Sequence, residues 1–81
     1  MDDRTVLKRI DDLVAEEHQL RSRRQAGELS SEDEQARLRQ VEESLDQCWD
    51  LLRRRRATRD LGGDPDAEQP RDKITVETYL Q

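Results

Sequence analysis

The sequence predicts an all-α protein: an antiparallel two-helix coiled-coil hairpin that dimerises into a four-helix bundle, with an extended C-terminal tail. Three observations lead there. Residues 3–25 and 31–60 are free of Gly and Pro and carry apolar positions at alternating steps of three and four, the spacing that lines one side of an α-helix. Only residues 26–30 separate them, so the second helix must fold back along the first. Both prolines and the other two glycines fall after residue 61, so a flexible linker (62–73) and a tail (74–81) follow the hairpin (1–61).

In the first helix Val6, Ile10, Leu13, Glu17, Leu20 and Arg24 form the stripe. Asp2 or Asp3 can cap its start, where a carboxylate satisfies free N–H groups and suits the helix dipole. Gly27 is the stop expected just past a helix end. The second helix opens on Ser31 and Glu34, the spacing of a capping box, and its stripe is Leu38, Val41, Leu45, Cys48 and Leu52. Gly62 and Gly63 end it. One register joins the two stripes: Leu20 faces Leu38, Leu13 faces Leu45, Ile10 faces Cys48 and Val6 faces Leu52. The same register sets Glu17 against Val41, Arg24 against Glu34 and Asp3 against Arg55. Each pair matches an a position with a d position, as antiparallel packing requires.

Composition bounds what such a chain can do. Of 81 residues 43% are charged, Leu, Ile and Val together make 16, and Phe is absent, which puts the chain at the edge of disorder. The length allows one small domain and no enclosed cavity of ordinary enzyme size. No apolar run reaches the ~18 residues of a membrane span. The opening MDDRTVLKR lacks the apolar core of a secretory signal. With one cysteine, Cys48, the chain can form neither an internal disulfide nor a cysteine metal cluster. These features predict a cytoplasmic protein. The net charge of -5 argues against general nucleic-acid binding.

Leu7, Val14 and Trp49 project from one flank of the seam and Leu51 from the other. A second hairpin would cover them, so Leu7, Val14 and Trp49 are the candidate homodimer interface. Glu17, inside an apolar face, must pair or reach solvent, since a lone buried carboxylate is costly; Arg21 and Arg37 are within range. His18 follows Glu16 and Glu17, but position 15 is Ala, so the Glu-x-x-His signature of di-iron bundles is missing. Cys48 on the seam reads as a small hydrophobe. No phosphate loop or nucleophile–base set occurs, and the chain is expected to have no catalytic, cofactor or metal residues.

Three features could contact partners. Arg53, Arg54, Arg55, Arg56 and Arg59 form a basic cluster at one end of the rod, able in principle to meet phosphates or an acidic protein, although no aromatic is interleaved for base stacking. In the tail, Ile74, Val76, Tyr79 and Leu80 either dock on the bundle or bind another protein. The loop end carries Glu28, Glu32, Asp33 and Glu34. A hairpin with an acidic tip resembles, in outline, the transcription factors that insert a coiled-coil finger into the secondary channel of RNA polymerase. That likeness implies tip carboxylates acting near a catalytic metal.

The stretches VLKRIDDLVAEEHQLR, LDQCWDLLRRRRATRDLGGDPD and VETYLQ resemble a small actinobacterial family catalogued as domain of unknown function number 2630. CWDLLRRRRA, residues 48–57, is the most specific part. The resemblance implies a short helical protein and no catalytic residues. The expected function is therefore that of a non-enzymatic interaction or assembly module with an unidentified protein partner. The alternative is a nucleic-acid- or transcription-associated regulator using the arginines or the acidic tip.

Overall fold

A computed structural model describes residues 2–80. Met1 and Gln81, the outer ends of the expected hairpin and tail, lie outside the described residues. The chain runs α1 (Asp3–Gln25), α2 (Ser31–Asp60), a 3-10 turn (Pro65–Ala67) and α3 (Lys73–Leu80). α2 is the central element: α1 packs along it as a hairpin, and α3 and the 3-10 turn also pack on it. The molecule measures 51 × 26 × 13 Å between Cα extremes, so it is an elongated slab.

Local chemistry sets the helix limits. Asp2 caps α1 by accepting the Thr5 N–H at 2.8 Å. Two serines precede the acidic run of α2, and Ser30 rather than Ser31 is its cap, with the Ser30 hydroxyl accepting the Asp33 N–H at 3.1 Å. Glu32, Asp33 and Glu34 fill the first turn of α2, where the dipole favours negative charge. Both long helices end in the same closure. Gly27 at φ 76° lets the Glu28 N–H reach the Arg23 carbonyl at 2.9 Å. Gly62 at φ 81° lets the Gly63 N–H reach the Thr58 carbonyl, also at 2.9 Å. This left-handed closure satisfies carbonyls that the helix itself leaves free.

The core is the seam. Val6, Ile10, Cys48 and Leu51 form a buried cluster, with Leu13, Leu45 and Leu52 packed against it. Leu20 and Val41 are buried further along the hairpin. Of the two end pairs in the expected register, Asp3 meets Arg55 at 2.7 Å. Arg24–Glu34 is not among the ion pairs of the described residues; near that end Arg23 reaches Glu28 instead, at 3.9 Å.

The structure corrects the expected extended tail. Residues 73–80 are helical because Asp72 caps them: its carboxylate accepts the Thr75 N–H at 2.7 Å and the Thr75 hydroxyl at 3.0 Å. Val76 is then fully buried where α3 packs on α2. Of the four expected tail contacts only Val76 is a core residue; Ile74, Tyr79 and Leu80 are exposed. The segment before α3, expected to be a flexible linker, is tied down over the base of the hairpin. Pro70 sits with Val6, Cys48 and Leu51 around a small void. Leu51, expected on an open flank, is 2% exposed because the chain's own linker covers it.

Gly27→Ala should lower stability by about 1 kcal/mol, the cost of a left-handed backbone for a residue with a Cβ. Urea denaturation should show a lower midpoint with an unchanged slope.

Candidate interaction site

The basic cluster at the base of the hairpin resolves into individual roles. Successive residues on a helix point about 100° apart, so each arginine meets a different neighbour. Arg55 is buried at 3% exposure. It donates to Asp3 at 2.7 Å and to the Pro65 carbonyl at 2.8 Å, and it pairs with Asp66 at 3.0 Å. Arg59 donates to the other Asp3 oxygen at 2.9 Å. Arg54 donates to Asp50 at 3.0 Å, to Glu68 at 2.9 Å and to the Gln69 carbonyl at 2.7 Å. Thr58 completes the site by donating its hydroxyl to Glu68 at 2.7 Å.

Asp50 is the centre of this network. It is 2% exposed, on the side of α2 turned toward the returning chain. Arg71 donates to both its oxygens and Arg54 to one. Gln47 donates to the Arg71 carbonyl at 2.7 Å, and the Arg71 guanidinium lies 5.6 Å over the Tyr79 ring. One carboxylate thus fastens the linker and steadies α3. A buried carboxylate is tolerable only when paired this way.

The electrostatics follow the geometry. The hydrogen bond from Arg71, then that from Arg54, holds the Asp50 carboxyl below its ordinary range. Arg55 and then Arg59 do the same for Asp3. For Glu68 the Thr58 hydroxyl is the main cause and Arg54 the next.

The expected arginine surface is therefore corrected. Arg54 and Arg55 bind the chain to itself, and Arg59 is engaged by Asp3. Arg53 and Arg56 are exposed and make no ion pair among the described residues. They stand with Leu7, Trp49, Leu52 and Asp3 around a shallow hollow of about 180 Å³. Leu7, Trp49 and Val14 keep 46%, 44% and 37% of their surface exposed. The base of the hairpin thus has one broad side covered by its own linker. The other is left open and carries Leu7, Val14 and Trp49 with two free arginines.

The remaining sequence candidates are also placed. Glu17 is partly buried and pairs with Arg21 at 3.3 Å, while Arg37 pairs with Glu16. His18 is exposed. Burial pushes the Cys48 thiol above its ordinary range, which suits a packing residue rather than a nucleophile. At the hairpin tip, Asp33 lines an open hollow of about 360 Å³ with Glu16, Arg23 and Arg37. No group of three or more His, Cys, Asp or Glu among the described residues is arranged to hold a metal ion. Among the described residues no helix is long and apolar enough to cross a membrane. Sequence reasoning missed Glu68, Arg71 and Asp72, which lie in a segment of linker composition. It did not single out Asp50. The available signal was an acid inside the apolar run from Cys48 to Leu52.

A family model described as "Protein of unknown function (DUF2630)" matches residues 2–81. The chain belongs to this family. Among its relatives are the uncharacterized proteins Rv0898c of Mycobacterium tuberculosis and Mb0922c of Mycobacterium bovis. Each is 51% identical over 77 residues, covering 95% of this chain and 88% of the relative. No solved structure matches. Family membership fixes no activity, since neither the family description nor these relatives' names state one.

Asp50→Asn should cost about 2–3 kcal/mol, since it removes the charge that Arg54 and Arg71 bond. The pH dependence has a defined sign. Groups with lowered values contribute fully above their ordinary 3.8 (Asp3, Asp50) and 4.5 (Glu68). That contribution is lost as pH falls through the lowered values. Urea titrations between pH 2 and 6 should show the wild type losing more stability on acidification than the Asn variant.

Proposed function

We propose that this chain is a non-enzymatic assembly protein that works as a homodimer, two hairpins stacking their open faces into a four-helix bundle. The observation that carries this is the exposure of Leu7, Val14 and Trp49 together on one face of a slab 13 Å thick. A helical layer is stable when each apolar stripe is covered by a second layer. The linker covers one side at the base; nothing among the described residues covers the other.

The occupant that fits is a second copy. On α2, Glu42, Trp49 and Arg56 recur every seven residues and so share a face. A two-fold axis near Trp49 sets the copies antiparallel and directs Arg53 and Arg56 of each toward Glu42 of the other. Such an isologous contact is self-complementary. A further, unidentified protein partner would be met by the assembled dimer.

The non-enzymatic reading is supported by how the polar groups are used: the most connected ones hold the chain together. A cytoplasmic location is part of the proposal and agrees with a buried, unpaired Cys48. A regulator that grips nucleic acid through the arginine cluster has less support, because Arg54 and Arg55 are already saturated.

Light scattering at micromolar concentration should give about twice the 9.6 kDa chain mass. Trp49→Glu should return the mass to that of a single chain with helix content unchanged. A wild-type mass of one chain overturns the dimer.

A further inference from the structure

The hollow on the open face joins two kinds of wall. Leu7, Trp49 and Leu52 are apolar, and Arg53 and Arg56 are cationic. Trp49, Arg53 and Arg56 follow one another along α2 by steps of four and three, so their side chains leave the helix on one side. At ~1.5 Å per residue, Trp49 stands about 6 Å before Arg53 and about 10 Å before Arg56 along the helix axis. The two arginines are less than a turn apart, close enough for both guanidiniums to reach one group. Neither makes an ion pair among the described residues.

We propose that this hollow binds a nucleoside monophosphate, with the phosphate held between Arg53 and Arg56 and the base laid against the Trp49 indole. A guanidinium fork matches the oxygens of a phosphate, two bonds at a time. The indole is 44% exposed, and an open aromatic face accepts any base, since every base has a face of its own. A pentose spans the interval along α2 between the two kinds of wall. Asp3 is the acid of the lining, and both its oxygens are taken by Arg55 and Arg59. It therefore leaves the two open guanidiniums to a ligand.

The charge count favours a small ligand over a polymer. Arg54 and Arg55 are bonded within the chain, and a net charge of -5 resists a polyanion. Two guanidiniums suit one phosphate group. The consequence for assembly rests on the dimer proposed above. There, Glu42 of a second copy takes the same arginines and the second copy covers Trp49. Nucleotide and second copy therefore compete, and a ligand that binds the single chain better shifts the population toward it.

Trp49 is the single tryptophan of the chain, so its fluorescence reports the site directly. The test titrates adenosine monophosphate, adenosine and inorganic phosphate at constant ionic strength into the wild type and into Val14→Glu, which disrupts the open face outside the hollow. In Val14→Glu the monophosphate should quench Trp49 saturably, and adenosine alone should need at least about tenfold more because the arginine contacts are absent. Phosphate alone, lacking the stack, should also need about tenfold more. Adding Arg53→Gln and Arg56→Gln should raise the monophosphate midpoint about tenfold or more. Arg24→Gln with Arg39→Gln removes the same charge from exposed positions elsewhere and should leave the midpoint in place. Circular dichroism should show wild-type helix content in every variant. Absence of saturable quenching in Val14→Glu overturns the site, as does a midpoint unmoved by the loss of Arg53 and Arg56, or adenosine or phosphate binding as tightly as the monophosphate. Light scattering keeps the two readings apart. A wild-type mass of one chain without ligand overturns the dimer and leaves the Val14→Glu titration to decide the site; a dimeric wild type with the midpoint of Val14→Glu overturns the competition.

Discussion

The arrangement of this chain depends on one buried carboxylate. Without Asp50, the segment after α2 would have little reason to return. It is rich in Gly, Pro and charge, and it buries few apolar atoms. Asp50 gives it a fixed target, and Arg71 answers from the far end of the linker. Arg54 spans the distance, touching Asp50, Glu68 and the Gln69 carbonyl together. Two cations on one enclosed carboxylate repay its desolvation through several charge-assisted hydrogen bonds, which are stronger than neutral ones. The linker laid down this way shields Leu51 and brings Val76 onto α2.

A second constraint is geometric. A chain with so few large apolar residues cannot surround a core on all sides. It concentrates them in a seam and lets polar clamps cover one face at the base. The result is asymmetric, with a closed side fastened by ion pairs and an open side of Leu7, Val14 and Trp49. The arginines differ in role for the same reason. They sit at successive angles around α2, so some meet the closed side and others the open one.

Much of this was legible in the residues. The steps of three and four gave both long helices, and Gly27 and Gly62 gave their ends. The matching of stripes gave the Asp3–Arg55 pair. The cap of α2 differs by one residue because two adjacent serines present the same hydroxyl, and only backbone geometry chooses between them. α3 was not legible: Ile74, Thr75 and Val76 are β-branched and follow linker composition, which reads as extended chain. Its helix depends on the Asp72 cap and on a seat for Val76 that exists only once α2 is in place. The arginine run was misread as a surface because Asp66, Glu68 and Arg71, the groups that complete the network, come from a stretch with no periodicity to locate it.

The Asp3–Arg55 contact also bears on the order of assembly. Its partners are 52 residues apart in sequence, whereas the Gly27 closure involves neighbours. Closing a long loop costs more entropy than closing a short one. The two helices should therefore zip from the turn toward the base, with Asp3, Arg55 and Arg59 meeting last. By the same measure the linker need not wait for that meeting, since Arg55 and Pro65 are only 10 residues apart. One guanidinium thus joins a long-range contact of the hairpin to a short-range contact with the chain that follows it.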